Sequence, residues 1–260
     1  MTHAATSPPR APRPGLMLDR VVDVLAALVD AGGTLTAAEL SRRAELPLSS
    51  TYRLVQSLER HGFVERRQRG TIALGLRVLE LARHVEDRLQ PSLLEPALPL
   101  MQELAREHGE TVLLTAPVGT SSIGLASVES PQPIRLTYAR WRLAPLTHGA
   151  SGKVLLAHLD EAWAETVLAA AATELDVAAL RRELAGIRAR GYATSTGELD
   201  PGASGVAAPV LDRSRRLIAG LTLAGPTERV RPAERELARG VVAAARALGE
   251  LVVPFGSSPS

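Results

Sequence analysis

Between residues 16 and 74 three apolar-periodic segments come first, then a short Arg-rich hairpin. Val21, Val24, Leu25, Leu28 and Val29 recur at i, i+3, i+4, i+7 and i+8, a stripe on one side of a helix. Gly32-Gly33 ends it. Thr36, with Glu39 three residues on, forms a capping box and opens a short helix through Arg43. The turn is AELP. Ser49 is expected to cap a third helix that runs to His61 and stops at Gly62. On that helix Thr51, Leu54, Val55 and Leu58 face inward, and Ser50, Tyr52, Arg53, Gln56 and Ser57 face outward. FVERRQRGTIAL then alternates as a strand, turns at Arg69-Gly70 and returns. Three helices and a basic hairpin, in this order, predict a winged helix-turn-helix.

Helical periodicity resumes at Leu74. Leu74, Val78, Leu81, Val85 and Leu89 step by 4, 3, 4 and 4, close to a heptad seam. The seam is either a contact between two chains or a face packed on its own domain. Pro91 is expected to end this helix. A helix over Leu93–His108, stopped by Gly109, leads into three expected strands, TVLLTAPV, SIGLASVE and PIRLTYA. GASGKVLLAHL reads as a loop feeding a helix. Asp160 and Asp176 cap two more helices, the second ending at Gly191. SGVAAPVLD and RLIAGLTLAG are strands around a DRSRR turn, and Pro232 is placed at the first position of a last helix through Val252. The pattern predicts an α+β chain whose second part is one antiparallel sheet with helices packed on it.

Length, at 260 residues, allows two domains with cores of their own. The net charge is only +2, so contact with nucleic acid must come from local clustering. Residues 42–70 supply it, with seven Arg against three Glu. The chain has no Cys, and its six His are scattered, so no metal site and no cofactor are expected. No apolar run reaches the ~20 residues that span a bilayer. The first fifteen residues are Pro- and Ala-rich, lack a signal peptide's apolar core and are expected to be disordered. A cytoplasmic protein follows.

Enzyme motifs fail on inspection. GASGK has Thr147 and Val154 where a phosphate loop needs Gly and Ser or Thr. A nucleophile elbow needs Gly at Lys153 for Ser151, and at Val206 for Ser204. No catalytic residues are assigned. The outer face of the third helix instead carries hydroxyls, an amide and a guanidinium, groups that reach phosphates and base edges. Arg66, Arg67 and Arg69 at the hairpin tip are candidate phosphate contacts. The alternative is a small-molecule-binding or enzymatic domain that uses its helix-turn-helix for protein interaction.

ELSRRAELPLSSTYRLVQSLERHGFVER and ALGLRVLELA resemble the N-terminal part of the IclR family of bacterial transcription regulators. LAPLTHGASGKVLLA, IRARGYATSTGELDPGASGVAAPV and LTLAGP resemble its C-terminal part. The resemblance covers roughly residues 16 to 250. It implies a winged helix-turn-helix (16–74), a linker helix (75–90) and a GAF-like effector-binding domain (91–254), between tails 1–15 and 255–260. It further implies a homodimer or dimer of dimers that binds double-stranded operator DNA and is modulated by a small organic acid; repression is expected. Ser49, Ser50, Tyr52 and Arg53 match the family's recognition helix, with Gln56 on the same face, whereas Leu48 stands where a Lys or another polar residue is common. The effector pocket is implied at Leu136, Ala150, Ser151, Ser195, Ala203, Gly205, Thr222 and Ala224. Positions 205, 224 and 195 are often Cys or Ser, Ser, and Asp; here they are Gly, Ala and Ser. Smaller, less polar side chains lead us to expect a roomier pocket suited to a ring or longer acyl group, unless Gly205 and Ala224 are simply packed against neighbouring strands. The GASGK backbone is expected to cradle the acid's carboxylate, with Ser151 and Thr222 as added donors and Lys153 projecting to solvent.

Overall fold

A computed structural model describes residues 17–252; the expected tails, 1–15 and 255–260, lie outside the described residues. The chain forms two compact units, divided between Arg88 and Leu89.

In the first unit α1 (Met17–Asp30) buries Val24 and Leu28, while Val29, expected on the same stripe, is exposed at its C-terminal end. β1 (Leu35–Thr36), which the hydrophobic pattern did not predict, adds a third strand to the wing. α2 (Ala37–Arg43) starts at the expected capping box: Thr36 Oγ1 accepts from Glu39 N–H, and the Glu39 carboxylate accepts from Thr36 N–H at 2.8 Å. The Thr36 N–H and the Thr36 hydroxyl, both donating to Glu39 Oε2, hold the Glu39 carboxyl below its ordinary range. α3 (Leu48–Arg60) begins one residue before the expected cap. Pro47 takes the N-cap position with φ −56 and ψ 138, so Ser49 is not the cap but part of the first turn. Pro fits here because its missing N–H is not needed before the helix starts. β2 (Val64–Arg66) and β3 (Thr71–Leu74) pair antiparallel, and the sheet order is β1-β3-β2. The turn falls at Arg69 and Gly70, both at positive φ. Leu28, Leu40, Val55 and Ile72 close the core of this unit.

α4 (Arg77–Leu89) carries the linker seam, but Pro91 does not terminate helical structure. A π turn, Gln90–Leu94, follows and leads directly into α5 (Glu95–His108). The wider i→i+5 bonding, with Glu95 N–H donating to Gln90 C=O, tolerates the missing Pro91 donor.

The second unit is a six-stranded antiparallel sheet ordered β6-β5-β4-β9-β8-β7. Its strands are β4 (Thr111–Val118), β5 (Ser121–Val128), β6 (Leu143–Pro145), β7 (Ala193–Thr196), β8 (Ala203–Leu211) and β9 (Leu217–Pro226). α5 and α9 (Thr227–Leu251) cover one face around Met101, Leu221 and Val241. α6 (Gly149–His158), α7 (Glu161–Ala171) and α8 (Val177–Arg190) cover the other around Leu155, Leu168 and Ile187. Asp160 and Asp176 cap α7 and α8 as expected.

Three expectations change here. PIRLTYA is not a strand: it joins no ladder, and β5 pairs with β6 instead. The Leu136 carbonyl accepts from Thr111 Oγ1 at 2.7 Å rather than from a strand. GASGK is the first turn of α6 itself. α9 starts at Thr227, so Pro232 lies inside it; Val230, 2% exposed, anchors the extra turn in the core.

Candidate nucleic-acid interface and effector site

On α3, Ser49, Tyr52, Arg53 and Gln56 stand at i, i+3, i+4 and i+7 and are all exposed. Ser50 is half-buried beside them. The opposite side, Thr51, Leu54, Val55 and Leu58, is buried as expected, and Thr51 Oγ1 donates to the Pro47 carbonyl at 3.2 Å. Burial of that side fixes which face of the helix is offered outward. Among the described residues Arg53 makes no ion pair. In the wing, Arg66 pairs with Glu59 at 3.0 Å and Arg67 pairs with Glu65. Arg69, in the turn, has no ion pair among the described residues. Surface pairs of this kind are worth about 0–1 kcal/mol, so phosphates compete for Arg66 and Arg67 at little cost.

In the second unit, Ser195, Gly205 and Ala224 form one cross-strand row that continues to Thr111. Ala150 in the first turn of α6 lies over Gly205, and Ala203 sits two residues along β8, half-buried. The structure therefore brings most of the implied effector residues together. Over Gly205 it leaves room for little more than a methyl group. A Cβ at Gly205 would stand 3.6 Å from both Ala150 Cβ and Thr222 Cγ2, ordinary packing distance. Gly152 allows this close seating of α6: a Cβ there would approach the Pro145 carbonyl to 2.5 Å.

The α6 N-terminus is not an open carboxylate cradle either. Gly149 N–H donates to Glu198 Oε2 and Ala150 N–H to Ser195 Oγ, each at 2.9 Å. The protein's own carboxylate thus occupies the positive end of the helix. Lys153, expected in solvent, is 4% exposed and binds Glu183 at 2.6 Å and Glu198 at 2.7 Å. It ties α6 to α8 and to the turn after β7.

A cavity of about 50 Å³ does lie on this face, at the β4–β5 side of the sheet. Ser151 lines it, together with Leu113, Ser127, Tyr138 and Arg142. Sequence reasoning missed the last four. Its available signal was Arg140-Trp141-Arg142, a basic aromatic cluster that neither helical nor strand periodicity accounts for. Burial pushes the Tyr138 phenol up to about 12, with Asp200 adding to the shift, so it stays protonated.

Two family models match the chain: the IclR helix-turn-helix domain over residues 17–68, and the bacterial transcriptional regulator IclR C-terminal domain over residues 90–250. The chain belongs to the IclR family. It is 34% identical to the HTH-type transcriptional regulator KipR of Bacillus subtilis, over 74% of this chain and 79% of that protein. It is 27% identical to the HTH-type transcriptional repressor AllR of Escherichia coli, over 82% of this chain and 81% of that protein. The crystal structure of an IclR transcriptional regulator from Alicyclobacillus acidocaldarius superposes with a TM-score of 0.69 at 25% identity, covering 90% of this chain and 97% of that one. As an IclR-family member the chain is a DNA-binding transcription regulator with an effector-binding C-terminal domain, not an enzyme. No helix among the described residues is long and apolar enough to cross a membrane.

Proposed function

We propose that this regulator is a cytoplasmic repressor: residues 16–74 bind an operator, and a small organic acid held by residues 91–254 changes operator affinity. The observation that carries this reading is the exposed ridge Ser49, Tyr52, Arg53 and Gln56, flanked by a wing bearing Arg66, Arg67 and Arg69. A recognition helix needs such a polar, unobstructed face to enter the major groove. The likeness to a protein named as a repressor supports the sign of regulation. A homodimer or dimer of dimers fits the apolar side chains left uncovered on the 75–90 linker, where Leu79, Leu81 and Val85 are each more than half exposed. The test is a mobility shift on the DNA upstream of the regulator's own gene, across a salt series. Tight, steeply salt-dependent binding is expected. Binding no tighter than to random DNA would refute the operator reading.

A further inference from the structure

The cavity on the β4–β5 side of the sheet is lined by more unused donors than packing explains. Leu113 pairs with Ser127 on β5 and with Thr222 on β9, so the three side chains share one row on one face. The Ser127 hydroxyl, the Thr222 hydroxyl and Arg142 Nε are all buried without a hydrogen-bond partner among the described residues. Buried polar atoms are nearly always paired, and an unpaired one is destabilising. Two of these, the Ser127 hydroxyl and Arg142 Nε, belong to residues that line the cavity, and together they call for an acceptor-rich ligand.

The backbone beside them is held in an uncommon conformation. Trp141 has φ 66, in the left-handed region that bulky residues avoid. Trp141 N–H donates to the Gly124 carbonyl at 2.8 Å, and Gly124 N–H donates to the Arg142 carbonyl at 3.1 Å. These two bonds pin the turn to β5 and set Arg142 in the cavity wall. Strain held by its surroundings in this way clusters at ligand sites. Arg142 stays 3.7 Å from Asp200 through Nη2, which leaves Nε for another acceptor. A guanidinium offers a carboxylate a planar fork of donors. The protonated Tyr138 phenol lines the same wall. Leu113 and Ala126 supply an apolar side, and about 50 Å³ accommodates only a few heavy atoms.

We propose that this cavity is the anion subsite of the effector domain, where Arg142 and Ser127 bind the carboxylate of a short-chain monocarboxylic acid. The proposal rests on the effector reading above and moves the anchor from the α6 N-terminus to the loop before β6. It selects against the ring-sized acids that the small side chains at 205 and 224 suggested.

The test uses the full chain with propionate, followed by calorimetry and thermal shift. Propionate is expected to bind and to raise Tm. Its neutral counterpart, propionamide, and inorganic phosphate are expected to do neither. Arg142→Gln should weaken propionate binding by about tenfold or more. Ser127→Ala should weaken it several-fold while leaving the Tm of the unliganded protein at or above the wild-type value, because it deletes an unpaired buried hydroxyl. A merely structural Ser127 would instead lower that Tm. Failure of propionate to bind the wild type, unchanged affinity in Arg142→Gln or Ser127→Ala, or equal binding of propionamide or phosphate overturns the proposal. The operator mobility shift, run on the same wild-type protein, separates the two failures. Operator binding without propionate binding overturns this subsite alone, whereas absence of operator binding overturns the regulator reading beneath it.

Discussion

Arg53 shows how a single residue's placement decides a testable role. Thr51, Leu54 and Val55 are buried around it, so its guanidinium has only the outward direction. Arg53→Ala is expected to weaken operator binding by about 1–3 kcal/mol if it makes a bidentate base contact, and to leave Tm unchanged. Equal affinity of the variant in a mobility shift would remove Arg53 from the interface. Lys153 shows the opposite case. Its burial between Glu183 and Glu198 is invisible in GASGK, since both partners come from distant elements. Lys153→Met should lower unfolding free energy by about 2–4 kcal/mol, because two partly buried carboxylates lose their cation; denaturant titration measures this. His158 adds a pH dependence. Burial lowers its pKa below 6.5, against a hydrogen bond from Nδ1 to the Val154 carbonyl. The folded state therefore resists protonation that the unfolded state accepts. Stability from this group is complete above about pH 6.5 and is lost as pH falls towards the folded pKa. A pH series of Tm should show this decline, and His158→Gln should flatten it.

Among the elements, those with local start and stop signals were legible. The capping box at Thr36 and Glu39, the Asp160 and Asp176 caps, and the left-handed stops at Gly109 and Gly191 stand where the sequence puts them. Proline misled twice. Pro91 sits in a π turn and Pro232 within α9, because Leu93, Leu94 and Val230 are buried strongly enough to keep the helices going. The strands missed were short ones, β1, β6 and β7, of two, three and four residues, none of them marked by a tight turn like the Arg69-Gly70 turn between β2 and β3. The wing carries a prediction of its own. Replacing Arg66, Arg67 and Arg69 with Ala should weaken specific and random DNA binding alike, and flatten the salt slope by about 0.9 per lost phosphate contact. Loss confined to the operator would mean that the wing reads bases.

For the whole molecule, assembly depends on which apolar side chains the chain itself covers. Of the heptad seam, Leu74 packs on the first unit's core and Leu89 on the second's. Leu81 and Val85 remain exposed, at 51% and 55%. Val78→Glu with Leu81→Glu should therefore shift the protein towards monomer in sedimentation and abolish binding to an operator with two half-sites. A dimer that survives both changes would place the interface elsewhere.

The sequence alone determined the winged helix-turn-helix, the outward face of its third helix, the antiparallel α+β second part and the family. These depend on periodicity, caps and short-range order, which are properties of neighbouring residues. The family resemblance implied Ser195, Gly205, Thr222 and Ala224 as one group, and the sheet register brings them together. Only tertiary structure decided whether that group encloses space. Ala150 leaves room for little more than a methyl group over Gly205, Glu198 takes the N–H of Gly149, and Lys153 turns inward to meet it. The cavity forms instead where residues 113, 127 and 142 converge from β4, β5 and the loop before β6. Volume and unpaired donors belong to side chains far apart in sequence, so no local pattern encodes them.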